Sequence, residues 1–156
     1  MMDKSKNSTR SIHVEPLSHK VSDAVVIELP KILDARGNLS FVEQNHHIPF
    51  EIQRTYWIYD VPGGEKRGGH AFIKNQEVII ALSGSFDVIV DDGKERRTFH
   101  LNRSYYALYI PNGLWRSMEN FSTNSVALEF GSESYLISDY IREYNEFLKL
   151  KQSGPV

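Results

Sequence analysis

No cysteine occurs among the 156 residues, which excludes disulfides, thiolate nucleophiles and thiolate metal sites together. An excess of either charge is missing too: 18 Lys and Arg stand against 20 Asp and Glu, a formal net charge of -2. There is therefore no basic field to hold a nucleic-acid backbone or an anionic membrane surface, and an anionic ligand must be met by a few placed arginines. The N-terminal "MMDKSKNSTRS" lacks an apolar signal core and no later run is long and apolar enough to cross a bilayer, so a soluble cytoplasmic protein is expected. Phosphate-binding loops, nucleophile elbows and dinucleotide fingerprints are also absent.

What the chain does contain is 40% hydrophobic residues in short β-prone runs, enough for one core but not two. "AVVIELP" (24–30), "LSFVEQ" (39–44), "QRTYWIYDV" (53–61), "EVIIALSG" (77–84), "SFDVIVDD" (85–92), "RRTFHL" (96–101), "YYALYIP" (105–111) and "SVALEFGS" (125–132) are rich in Val, Ile, Tyr and Phe. Between them lie "DARGN", "PGGEKRGG", "DDGK", "LNRS", "PNGL" and "NFSTN", all turn chemistry. Many short strands with one helix predict an all-β jelly roll spanning residues 13–150 as one domain, preceded by a disordered tail over 1–12. Asp92-Gly93 predicts a tight hairpin turn. In "SDYIREYNEFLKL", Tyr140, Ile141, Tyr144, Phe147 and Leu148 recur at helical spacing, which predicts a C-terminal helix capped by Ser138 and ended by Gly154-Pro155.

One stretch resists a purely structural reading. "RGGHAFIKNQEVIIALSG", Arg67 to Gly84, is a strand-like segment that carries an arginine, a histidine and a glutamate where packing would want apolar groups. Alternation places His70, Phe72 and Lys74 on one face. With Gly64, His70, Phe72, Glu77 and Gly84 at their spacing, the stretch resembles the first motif of the cupin superfamily, in which two histidines and a glutamate ligate a metal inside a small jelly-roll barrel. "PNGLWRSMEN" resembles the second motif, with Arg116 where the third histidine would stand. Phe72 and Arg116 do not donate to a divalent metal under ordinary conditions, so no metal is expected.

The blocks "DARGNLSFVE", "RTYWIYDVPGGEKRGGHA", "ALSGSFDVIVDDG", "LYIPNGLW" and "SDYIREYNEF", in this order over residues 24–148, resemble the WxcM-like cupins, sugar 3,4-ketoisomerases that act on dTDP-4-keto-6-deoxyglucose. The resemblance implies a cupin jelly-roll barrel of the RmlC-like kind, and a reaction without metal or redox cofactor: proton abstraction at C3 of a dTDP-linked 4-keto sugar, an enediol(ate), and proton delivery at C4. It also implies deoxysugar biosynthesis for surface polysaccharide or lipopolysaccharide, and a homodimer with exchanged N-terminal strands, for which "AVVIELPKIL" is apolar enough. The family carries His-Ala-His, its second histidine being the usual base, whereas this chain has His70-Ala71-Phe72.

Three readings stay open for Phe72: His70 serves as the base, another group such as Glu77 or Tyr56 does so, or the domain binds a nucleotide sugar without turnover, alone or with an active paralogue. A buried histidine beside a phenylalanine also suits simple core packing. His70 and Tyr56 are the candidate acid/base groups. Arg54, Arg67 and Arg116 are the candidate contacts to diphosphate and sugar, the first two against structural ion pairs with Asp60, Glu43 or Glu77 and Arg116 against packing at the barrel rim. Phe72, Lys74 and Glu77 complete the substrate-facing set, and Trp115 is read as a base-stacking aromatic at the barrel mouth, against rim packing. His46-His47 and His100 receive no functional role, since adjacent strand residues point to opposite faces.

Overall fold

The computed structural model describes residues 17–153; the expected tail over 1–12 and the helix stop at Gly154-Pro155 lie outside these. Ten strands, β1 (Val25–Glu28), β2 (Arg54–Ile58), β3 (Arg67–Phe72), β4 (Glu77–Ser83), β5 (Phe86–Asp91), β6 (Arg96–Leu101), β7 (Tyr106–Ile110), β8 (Trp115–Glu119), β9 (Val126–Gly131) and β10 (Tyr140–Ile141), precede one α-helix, α1 (Tyr144–Gln152). They form two five-stranded sheets, ordered β1-β7-β4-β9-β2 and β10-β3-β8-β5-β6, in which all pairings are antiparallel. This is the expected all-β jelly roll with its C-terminal helix.

The alternation of side chains explains why the sheets close on each other. Ile79 and Ala81 of β4, Phe86, Val88 and Val90 of β5, Leu108 and Ile110 of β7, Met118 of β8 and Ala127 of β9 make one buried apolar cluster between them. β4 is buried on both faces, because Val78 and Ile80 point the other way into a second cluster with Leu29, Ile48 and Phe50. A strand covered twice reads as an unbroken apolar run, which is how "VIIA" appears in the sequence. The other sheet is covered by α1, where Phe147 is fully buried against Ala71, Ile141 and Leu17.

The β5–β6 hairpin forms as expected, with Asp92 accepting from the Lys94 and Glu95 N–H groups and Gly93 at φ +88. Two local expectations fail. "LSFVEQ" makes no strand; Leu39 and Gln44 join only isolated bridges to Ile32 and Ile48, and His46-His47 consequently sit in a turn. The helix starts at Tyr144 with Glu143 as N-cap, and Ser138 lies in a short 3-10 turn instead. Tyr140 and Ile141 are extended because they pair with Phe72 and Ala71 on the edge of β3, and that ladder outweighs helical propensity. Asp139 fixes the junction by accepting from the N–H groups of Lys74 (2.7 Å) and Asn75 (3.1 Å).

Candidate active site

At one end of the barrel the inward positions turn from apolar to polar. Along β2 they are Ile58, Tyr56 and Arg54; opposite them on β9 stand Ala127, Glu129 and Gly131. β4 presents Ala81, Ile79 and then Glu77, while β3 and β8 face each other at His70 and Arg116. β4, β9, β3 and β8 thus each bring one inward polar group, and β2 brings two, Tyr56 and Arg54, to the same end of the barrel.

Arg116 lies at the centre and is 1% exposed. Its Nε donates to Glu77 Oε1 (2.7 Å), and its Nη2 donates to both Glu77 Oε2 (2.9 Å) and Glu129 Oε2 (2.7 Å). Nη1 reaches the Gly68 carbonyl at 3.3 Å. Gly68 is required here: a Cβ would stand 1.8 Å from Arg116 Nη1, and its φ of +67 is one that glycine adopts without strain. Burial opposes charge on Arg116, but Glu129 and Glu77 overcome it and keep the guanidinium protonated. Burial likewise tends to raise Glu77, yet Arg116 holds its carboxyl below the usual range, whereas Glu129, buried and beside the Glu77 charge, is raised to about 7.

A divalent ion does not fit this centre. The Glu77 carboxylate is spent on a bidentate guanidinium, and Arg116 itself brings a fixed positive charge to the place where a metal cupin has a histidine. Among the described residues the remaining grouping of metal-ligand type, Glu43, His46 and His47, sits in the exposed turn. There His47 Nδ1 accepts the Glu43 N–H at 3.0 Å, which places the ring proton of the neutral imidazole on Nε2.

His70 is 7% exposed and packs at 4.8 Å from the Phe72 ring and 5.0 Å from the Tyr140 ring. Its Nε2 is buried with no hydrogen-bond partner. Burial first, then the Arg116 charge, lowers the imidazole to about 3, so it is neutral across the physiological range. Tyr56 donates to Glu77 Oε2 over 3.4 Å, and burial together with the Glu77 and Glu129 charges pushes its phenol far up, which keeps the proton on the oxygen.

Arg54 closes the set. Its guanidinium carbon lies 5.2 Å from the Tyr56 ring, 5.5 Å from Phe72 and 5.7 Å from both Tyr135 and Tyr140. Gly131 opposite it leaves the room, since a Cβ there would stand 3.1 Å from Arg54 Nε. Nε and Nη2 are buried without a partner, and among the described residues Arg54 makes no ion pair.

Of the residues singled out in the sequence, Tyr56, Arg54, His70, Phe72, Glu77 and Arg116 meet at this end of the barrel. Trp115 does not: adjacent to Arg116 on β8, it points to the opposite face and packs under α1, 5.2 Å from the Tyr144 ring and 5.8 Å from Phe147. Lys74 falls beyond the end of β3, in an exposed turn where strand alternation no longer applies. Arg67 is exposed and three residues before His70, across an irregularity in the β3–β8 register, so it does not share the His70 face by simple alternation. Glu129, Tyr135, Tyr140 and Arg142 were missed. Glu129 was readable as an inward position two residues from Ala127, whereas Tyr140 and Arg142 were hidden by the helical spacing of their segment.

The FdtA family model (WxcM-like, C-terminal) matches residues 22–152. The chain belongs to this family. It is 41% identical over 124 residues to a TDP-4-oxo-6-deoxy-alpha-D-glucose-3,4-oxoisomerase of Aneurinibacillus thermoaerophilus, covering 80% of this chain and 89% of that one. Among solved structures it is similar to a 3,4-ketoisomerase from Helicobacter canadensis (36% identity, TM-score 0.82, 84% of this chain and 98% of that one). It is also similar to QdtA, a sugar 3,4-ketoisomerase from Thermoanaerobacterium thermosaccharolyticum in complex with TDP (32% identity, TM-score 0.83, 85% and 97%). Within this WxcM-like member, Phe72 sits beside His70 in the barrel and the guanidinium of Arg116 fills its centre.

Proposed function

We propose that the chain is a nucleotide-sugar 3,4-ketoisomerase acting on a dTDP-4-keto-6-deoxyhexose by metal-free proton transfer. The observation that carries this reading is the pairing of two unsatisfied groups in one aromatic enclosure. His70 Nε2 has no partner, nor do Arg54 Nε and Nη2, and both residues lie against Phe72 and Tyr140. Buried polar atoms without partners are costly, so a ligand that brings oxygen to Arg54 and an acidic C–H to His70 gains what the empty fold forgoes.

The chemistry follows from the protonation states. A neutral His70 is in the form that accepts the C3 proton, made acidic by the neighbouring C4 ketone; the resulting imidazolium, disfavoured by its burial, exchanges its proton with solvent and then delivers one to C4. Tyr56 retains its proton and so serves as donor to the developing enediol oxygen. Arg54 supports the anion, either the diphosphate or the enediolate. Arg116 is turned inward onto Glu77 and Glu129 and acts on the site through them.

Three finer statements belong to the same proposal: a place in deoxysugar supply for surface polysaccharide, a cytoplasmic location, and a homodimer that exchanges N-terminal strands. Val25 and Val26 on the edge strand β1 are 44% and 47% exposed, and Ile32, Leu33 and Leu39 more so, an apolar surface that a second copy would cover. No described helix is long and apolar enough to cross a membrane.

Phe72 favours a second reading, a domain that binds the nucleotide sugar without turnover, because a phenyl ring cannot take up a proton. Deuterium incorporation at C3 of TDP-4-keto-6-deoxyglucose in D2O separates the two. The isomerase reading predicts exchange by the unmodified protein; exchange that appears only after Phe72→His identifies a binder that has lost its base.

A further inference from the structure

At the polar centre of the barrel two buried carboxylates share one guanidinium, and Arg54 forms a hydrogen bond to neither. Glu77 and Glu129, 1% and 0% exposed, face a single guanidinium, that of Arg116. The other groups around the pair are Tyr56 from β2 and His70 from β3, both neutral; Arg54 and Arg142 bear instead on His70 and on the Tyr140 ring. With both carboxyls ionised the pair would carry one negative charge that no bonded cation offsets, fully buried, at a cost of several kcal/mol. Glu129 bears the sign of the remedy. Its Oε2 takes a bond from the same Arg116 Nη2 that bonds Glu77, but Oε1 is buried and lacks any donor, while Tyr56 stands directly opposite on the paired strand β2. A carboxylate oxygen in that position wants a proton from somewhere, and a carboxylic acid already has one to give.

We propose that Glu77 and Glu129 hold one proton between them, that this proton together with Arg116 supplies the two positive charges a metal cupin obtains from its ion, and that it is the reserve from which Tyr56 is replenished. The pair is a carboxylic acid hydrogen-bonded to a carboxylate, clamped by a guanidinium. In the reaction Tyr56 gives its proton to the C4 ketone oxygen as His70 removes the proton from C3, and Glu129 gives its own to the Tyr56 oxygen in the same event. In the second half, the C3 hydroxyl proton passes back through Tyr56 to the pair as His70 protonates C4. No proton is gained or lost, and Tyr56 is at no point left as a phenolate beside a buried carboxylate. The shared proton rests on two fully buried carboxylates bonded by one guanidinium and on the unpartnered Glu129 Oε1; its role as reserve rests on the ketoisomerase reading.

The test is infrared spectroscopy of the ligand-free protein, read with turnover. The unmodified chain is expected to show the carbonyl stretch of a protonated carboxylic acid at neutral pH, titrating away with a midpoint of about 7. Glu129→Gln, which replaces a neutral carboxyl by a neutral amide of the same shape, is expected to abolish the band, keep TDP affinity within a factor of about two, and lower turnover on the order of 10²-fold. Absence of the band below the midpoint in the unmodified protein overturns the shared proton, and that result needs no variant to fold. Unchanged turnover in Glu129→Gln overturns the reserve. A protein that shows the band but catalyses no exchange keeps the proton and loses both the reserve and the isomerase reading, so the two claims fail separately.

Discussion

Arg54 is held in place by aromatic faces rather than by a carboxylate, and this separates its removal from damage to the fold. Two of its nitrogens are already without partners and none of its neighbours is a carboxylate paired to it, so replacing it strands no buried charge. Arg54→Met is therefore expected to fold normally yet weaken TDP binding by about 1.5–3 kcal/mol, the worth of a hydrogen bond to a charged group. Titration calorimetry checks this, and unchanged affinity would move the anion site elsewhere. Phe72 has the contrary character. It is 3% exposed and packs edge-on against both His70 and Tyr140, so Phe72→His introduces a polar ring into a space shaped for a phenyl. The gain of a base there comes with a loss of stability of about 1–3 kcal/mol, visible as a lower melting temperature.

The facing strands β3 and β8 carry the site's most constrained contact. Gly68→Ala would force a methyl group into the Arg116 guanidinium and a left-handed backbone onto alanine. The backbone term costs roughly 1–2 kcal/mol and disrupting the buried ion pair roughly 3–5 kcal/mol, so the variant is expected to unfold in markedly less urea. The pH dependence of stability also resides in these strands. His70 is lowered from 6.5 to about 3, so the unfolded chain binds more protons and its contribution to stability rises with pH between those values. Glu129 is raised from 4.5 to about 7, so the folded chain binds more protons and its contribution falls as pH rises through that window. Between about 4.5 and 6.5 the two slopes, each at most about 1.4 kcal/mol per pH unit, oppose one another. Denaturant titrations of His70→Gln should expose the falling slope and those of Glu129→Gln the rising one; parallel profiles would contradict the assignment.

Strands were legible from the sequence where one face is buried and turn residues bound them, as in β5 and β6 around Asp92-Gly93. They were not legible in "LSFVEQ", where Val42 packs on the second cluster while Leu39 and Phe41 stay exposed and the segment joins no sheet. Nor did spacing reveal β10, because Tyr140 and Ile141 are extended by a partner strand and not by their own preference. The site suffered the same way. Residues placed by alternation within a strand were found, Arg54 with Tyr56 and His70 with Phe72, while Lys74 and Trp115 were misplaced by a strand end and by facing direction.

At the scale of the whole molecule, the exposed apolar residues of the N-terminal edge are what an exchange of strands between two copies would cover. Sedimentation or light scattering is expected to give twice the monomer mass, and substituting Val26 and Leu33 by charged residues is expected to yield monomers. A monomer that retains full turnover would remove the exchanged dimer from the account. The central claim, however, is the reaction. Incubating the purified chain with TDP-4-keto-6-deoxyglucose in D2O and following the sugar by NMR tests it directly. The account predicts a 3-keto product carrying deuterium at C4, formed without added metal; TDP-sugar bound but recovered unchanged and undeuterated would contradict it.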